Sequence, residues 1–257
     1  RPDLQWVENR PIYLNAPHRV GRYTRKPRKE HHMELNADFT KRVVVHSDQV
    51  EWQASPMPGV DRRMLDRIGG EVARATTIVR YAPDSRFSSH THTGGEEFIV
   101  LDGIFSDQHG DFPAGSYVRN PPTSAHAPHS DDGCTIFVKL WQFQPQDRTH
   151  VVIDMNKMEF IPDATRPGVG VMTLFNDPFE TVRSEQWQAG ASVTLDLPEG
   201  GEFLVLGGSL TEGGDTLGKG AWLRLPEGST LNATAGPEGA RIWAKLRHIP
   251  HAKPPAA

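Results

Sequence analysis

From Lys41 onward, short apolar runs rich in β-branched and aromatic residues recur along the chain, each closed by Gly, Pro, Asp or Asn. That punctuation predicts a β-sandwich or barrel rather than a helical protein. RVVVH at 42–46, EVARATTIVRYA at 71–82, EFIVLDGIFSD at 97–107, AGSYVRNP at 114–121 and CTIFVKLWQF at 134–143 each read as strand. QHGD at 108–111 and SDDG at 130–133 carry the residues of hairpin turns, which tolerate tight or left-handed backbone. The helical candidate is one short segment, Asp61 to Ile68. The expectation is an all-β chain.

The second half repeats this pattern. A shift of 105 residues lays GGEFLVLGG at 200–208 over GEEFIVLDG at 95–103, and GAWLRLPEGS at 220–229 over GSYVRNPPTS at 115–124. RIWAKL at 241–246 matches TIFVKL at 135–140 after one inserted residue, and PGV at 167–169 and ETVR at 180–183 echo PGV at 58–60 and EVAR at 71–74. A repeat of this length is too long for a solenoid unit and the right size for a whole domain. The reading is a duplication, with a linker near Gln144 to Lys157. The segments are a basic N-terminal extension over 1–38, a first barrel over 39–150, a second over 151–251 and a tail over 252–257.

Composition narrows the class. Hydrophobic content of 37%, charged content of 23%, 24 glycines and 21 prolines fit a soluble globular protein with many turns. A formal charge of −4 gives no reason to expect nucleic acid as a partner. Cys134 is the single cysteine, which excludes an internal disulfide framework and a Cys-rich zinc module and fits a reducing compartment. No run approaches the roughly 18 apolar residues of a membrane span, and no secretory pattern is present, so a cytoplasmic protein is expected. The extension concentrates Arg19, Arg22, Arg25, Lys26, Arg28 and Lys29 without apolar periodicity, the pattern of a solvated arm. Met33 opens a segment with the character of the main domain and reads as a candidate native start.

Only the first repeat carries metal-binding side chains. HTHTGGEEFIVLDG at 90–103 offers His90, His92 and Glu96, and His126 follows a Pro-Pro turn. Residues two apart on a strand share a face, so His90 and His92 project together, and Gly94 and Gly95 let the chain turn Glu96 toward the same point. Three imidazoles and a carboxylate suit one divalent ion, zinc, iron, manganese, nickel or copper, whereas calcium takes more oxygen ligands. Under the 105-residue shift these positions become Leu195, Leu197, Gly201 and Leu231. His129 and Tyr117 lie near the ligands but read first as ordinary surface or core residues, Cys134 as a packing residue, and His109 as a solvated turn residue.

HTHTGGEEFIVLDG resembles the first motif of the cupin superfamily, and PAG at 113–115 followed by His126 resembles the second. Residues 36–150 are similar to the cupin domain of the ChrR-like anti-sigma factors, through RMLDRIGGEVARATTIVRYAP, HTGGEEFIVLDGIFSDQHGDFPAGSYVRNPP and DDGCTIFVKL. The resemblance implies two tandem cupin barrels of the double-stranded β-helix or jelly-roll kind, the second degenerate. It also implies that His90, His92, Glu96 and His126 are ligands of a zinc ion. Those anti-sigma factors carry a helical sigma-binding domain with His and Cys zinc ligands ahead of the cupin. Here the first 38 residues are too short and contain no cysteine, so anti-sigma activity is not carried over.

The metal divides the functional expectations, with zinc or iron the leading ions and manganese or nickel next. Four ligands complete tetrahedral zinc and describe a regulatory or ligand-sensing protein. The same four leave two positions open on six-coordinate iron, manganese or nickel, which describes a dioxygenase of a small oxygenated molecule such as a diketone or hydroxyaryl ketone. A third reading is a non-catalytic pair of barrels in which the metal replaces the leucine core of the twin. A small-molecule ligand, no nucleic acid, no membrane, pairing of the two barrels within the chain and further association between copies complete the expectations.

Overall fold

The computed structural model describes residues 32–70 and 72–255. The basic run from Arg19 to Lys29 lies outside the described residues. Two large antiparallel sheets account for nearly all regular structure. The first runs in spatial order Met33–Leu35, Val60–Gly69, Ala73–Tyr81, Cys134–Leu140, Glu96–Asp107, Ser116–Asn120, Val151–Asp154. The second runs Ile161–Pro162, Val169–Asn176, Thr181–Trp187, Ser229–Leu246, Gly201–Glu212, Ala221–Leu225, Val43–His46. The central strands follow the same order in both sheets, matching the repeat in the sequence.

The barrels exchange a strand. Val43–His46 leaves the first half and pairs with Ala221–Leu225 of the second, with Val43 opposite Arg224. Val151–Asp154 returns the exchange by pairing with Ser116–Asn120, with Ser116 opposite Asp154. The segment read as a linker therefore contains a strand and a 3₁₀ turn at Met155–Lys157. VVIDMNKMEF at 151–160 matches VVVHSDQVEW at 43–52, so the exchanged strands are themselves copies.

Asp61–Ile68 is not a helix. It lies within the strand Val60–Gly69, which pairs with Ala73–Tyr81 along its length, with a bulge between Met64 and Asp66. The charges that imitate a helix face are taken up by tertiary partners: Arg63 stacks on Trp52, and buried Asp66 meets Arg224 of the second barrel at 3.1 Å. Two boundaries also move. Met33–Leu35 of the extension is an edge strand on Val60–Gly69, and Ala252 of the tail is buried, its carbonyl accepting from Arg74 Nη1 at 2.8 Å.

Apolar side chains sort into three groups. Phe98, Val100, Phe105, Ile136 and Val138 fill the first barrel, and Leu197, Phe203, Leu223, Leu231 and Ile242 fill the second. Between the barrels, Leu65, Ile78, Tyr117 and Phe137 pack against Leu204, Trp222 and Trp243. This third group makes the two halves one packed unit.

Candidate metal centre

His90 and His126 face each other across a two-stranded ladder, His90–Thr91 against Ala125–His126. One residue beyond that ladder, the backbone of His92 is clamped on both sides: its N–H donates to the Ser124 carbonyl and its carbonyl accepts from the Thr123 N–H, both at 2.9 Å. Gly94 and Gly95 then turn the chain. Gly95 has φ +78, and a Cβ on Gly94 would lie 2.2 Å from the Trp141 ring, one on Gly95 2.3 Å from Phe143. Both glycines are thus required by close approach, as well as by the bend that lets Glu96 open the strand Glu96–Asp107 facing the histidines.

The four predicted residues converge, with one donor atom from each lying within 4.8 Å of all the others. Glu96 Oε2 is 3.3 Å from His92 Nε2 and 3.5 Å from His126 Nε2. The rings of His90, His92 and His126 stand edge to face with centroids 4.6–5.1 Å apart. His92, Glu96 and His126 are buried, while His90 is exposed.

Polar contacts behind these side chains fix which nitrogen faces inward. His126 Nδ1 is 3.1 Å from Asp107 Oδ2, an acceptor, so Nδ1 carries the proton and Nε2 presents its lone pair to the site. His92 Nδ1 is 3.1 Å from Ser124 Oγ, whose own hydrogen goes to the Pro121 carbonyl at 2.6 Å, with the same consequence. Asn120 Nδ2 donates to Glu96 Oε2 at 3.2 Å, and Asn120 Oδ1 accepts from His150 Nε2 at 3.0 Å.

His92 Nε2 is buried and makes no hydrogen bond, since its lone pair and the Glu96 carboxylate 3.3 Å away are both acceptors. A buried polar atom left without a partner is costly, and here it points at three other donors. A divalent ion fits this donor set. Burial, reinforced by the neighbouring His90, pushes the His92 imidazole down to about 4. Burial also lowers His126, against the opposing pull of Glu96. Both rings are therefore neutral near pH 7, the form that binds metal.

A cavity of about 450 Å³ adjoins the cluster, reaching His90, His92 and Glu96 and walled by Tyr81, Phe87, Val138, Leu140 and Trp141. The other residues singled out from sequence lie elsewhere. Tyr117 is fully buried in the core between the barrels, its hydroxyl donating to Glu97 Oε1 at 2.7 Å. His129 pairs with Arg86 and Ser106 on a separate ladder. Cys134 packs in the barrel core and His109 is exposed in its turn, as read from sequence. Asp107, Ser124 and Asn120 were not anticipated. Ser124 carried a signal, since it stands two residues before His126 in a segment already held to be a ligand strand.

The twin barrel reproduces the frame without the donors. Leu195 pairs with Leu231 as His90 pairs with His126. At the position of Glu96, Gly201 leaves room for Leu246 and Leu197, which a Cβ there would meet at 3.0 and 3.3 Å.

Residues 40–144 match the family described as the ChrR Cupin-like domain. No curated protein is matched by the sequence. Among solved structures, a candidate dioxygenase of Nostoc punctiforme superposes with TM-score 0.68 at 15% identity, over 85% of this chain and 87% of that one. The bacterial pirin YhhW of Escherichia coli in complex with nickel(II) gives 0.58 at 10%, over 80% and 99%. A cupin 2 conserved barrel domain protein of Leptotrichia buccalis gives 0.51 at 12%, over 76% and 92%. At these identities the likeness is one of fold. Residues 40–144 therefore match a ChrR-like cupin domain, and the described residues form two tandem barrels of the cupin fold.

Proposed function

We propose that this chain is a metal-dependent enzyme, an iron-dependent dioxygenase of small oxygenated compounds such as diketones or hydroxyaryl ketones. The observation that carries this reading is the cavity of about 450 Å³ that reaches His90, His92 and Glu96. Its volume falls in the range of small-molecule sites, and an ion closed off by four protein ligands has no use for such a space. When bound, the ion supplies Lewis acidity to substrate oxygens and, as iron, electrons to dioxygen. The protein's own part is positional: Asp107 and Ser124 hold two imidazoles in the ligating tautomer, Asn120 orients Glu96, and the apolar wall excludes water. The description of the Nostoc relative as a candidate dioxygenase and the nickel(II) in the pirin relative support the direction of this reading.

The ligand count favours a second reading. Three histidines and one glutamate also complete a tetrahedral zinc site, giving a regulatory or ligand-sensing protein. Elemental analysis of protein purified without added metal, followed by oxygen consumption with Fe(II) over diketones and hydroxyaryl ketones, separates the two. Iron uptake and turnover are expected; a full complement of zinc unmoved by Fe(II) would rule the dioxygenase out. His126→Ala is expected to lower metal content while the second barrel stays folded.

We place the protein in the cytoplasm, acting on a small molecule without nucleic acid or membrane, and associating further as a homo-oligomer. The buried lone Cys134 and the formal charge of −4 support this, and among the described residues no helix is long and apolar enough to cross a membrane. Light scattering tests the association.

A further inference from the structure

Among the described residues lining the metal cavity there is no lysine and no arginine. Glu96 is the one carboxylate of the lining, and Asp107 stands behind His126, so a divalent ion leaves at most one net positive charge at the site. One deprotonated ligand oxygen on the ion already uses it. A second negative group on the same ligand would sit in an apolar space with no cation to meet it, at the full cost of desolvation.

The walls add a shape. Tyr81, Phe87 and Trp141 contribute three aromatic side chains, and Met57 and Val72 extend the apolar surface to the mouth, where they are 49% and 54% exposed. Trp141 stands out against its twin. Its backbone φ of +59 is repeated by Arg247 at +70, and Phe143 under Gly95 is repeated by Ile249 under Gly200. The turn itself therefore belongs to the fold. The side chains differ in use: Arg247 donates to the carbonyls of Asp177, Pro178 and Glu180, whereas the Trp141 ring lies on Gly94 and faces the cavity.

We propose that the cavity selects a planar, aromatic ligand that chelates the ion through adjacent oxygens and carries no second charge, and that Trp141 sets this preference by stacking on the ligand ring. The proposal rests on the metal-dependent reading of the site. It makes the indole a specificity residue with no part in holding the ion, since offset aromatic pairs add affinity beyond the area they bury.

Calorimetry on the nickel(II)-loaded full chain tests it with two probes, ortho-hydroxyacetophenone and the same molecule carrying a ring carboxylate para to the hydroxyl. The uncharged probe is expected to bind about tenfold or more tighter, a difference of about 1.4 kcal/mol. Trp141→Ala should weaken it by about tenfold at unchanged nickel content, Trp141→Phe by no more than about threefold, as expected for a lost and a retained aromatic contact. Val72→Lys, at the exposed mouth, should narrow the discrimination against the carboxylate by supplying the missing cation. Equal or tighter binding of the carboxylated probe, or undiminished affinity in Trp141→Ala at full nickel content, would overturn the proposal. Discrimination as expected, with no oxygen consumed by the Fe(II) protein, upholds the pocket assignment and removes the dioxygenase reading.

Discussion

Thr123 has φ +76, a conformation that β-branched residues rarely adopt, and its counterpart under the 105-residue shift is Gly228 at φ +74. The twin meets the turn with the residue that adopts it freely, while the half with the His–Glu cluster keeps a threonine whose N–H holds the His92 carbonyl. Thr123→Gly is expected to raise stability by about 1 kcal/mol through relief of that strain, read from urea unfolding of the metal-free protein. A second residue-scale consequence concerns acid. His92 has a folded value near 4, below the ordinary value of 6.5, so the unfolded chain binds more protons between those pH values. Its contribution to the stability of the metal-free protein is therefore complete above about pH 6.5 and disappears as pH falls to about 4. Thermal melts across that window should show the loss, and His92→Gln should flatten it. The candidate ligand set was legible in the sequence because His90 and His92, two residues apart, share a face and Gly94 and Gly95 turn Glu96 toward it, and the four side chains do converge. Asp107 and Asn120 were not legible, because each reaches its partner from a different strand.

At the scale of elements, most strands follow from alternation and turn residues, but two assignments fail for a common reason. Asp61–Ile68 lacks a strand-like pattern on its own because Asp66 is buried against an arginine 158 residues away in sequence. Val151–Asp154 sits in the presumed linker because a strand that pairs with the other barrel looks, locally, like any short apolar run. The exchange has a measurable consequence. Residues 39–150 alone lack the strand that covers Ser116–Asn120, and their Val43–His46 has no partner, leaving unpaired edges and apolar surface. This fragment is expected to aggregate or stay unfolded by gel filtration and circular dichroism, and to be rescued by co-expression with residues 151–257. A soluble, folded monomer of 39–150 would refute the interdependence.

The whole molecule is tied together by buried charge that crosses between the barrels. Lys139 of the first half reaches Glu202 of the second, and Lys245 of the second reaches Glu97 of the first. The two glutamates are copies of one another, as are the two lysines, and the partners Tyr117 and Trp222 occupy equivalent positions, donating to Glu97 and Glu202 respectively. Burial opposes ionisation of Glu202, but Lys139, His248 and Arg224 outweigh it and hold the carboxyl well below its usual range. Lys139→Met would take from that buried carboxylate the cation that most favours its ionisation and is expected to cost about 3–5 kcal/mol in urea unfolding. Lys245→Met should behave alike, although Lys245 also meets Glu180 at 2.8 Å. By itself the sequence determined the β architecture, the internal repeat and the candidate set His90, His92, Glu96 and His126, because alternation, turn residues and short-range spacing act over a few residues. Only the tertiary structure decided the strand exchange, the reciprocal Lys–Glu pairs and the cavity beside the candidate metal centre, because each depends on groups brought together from distant parts of the chain.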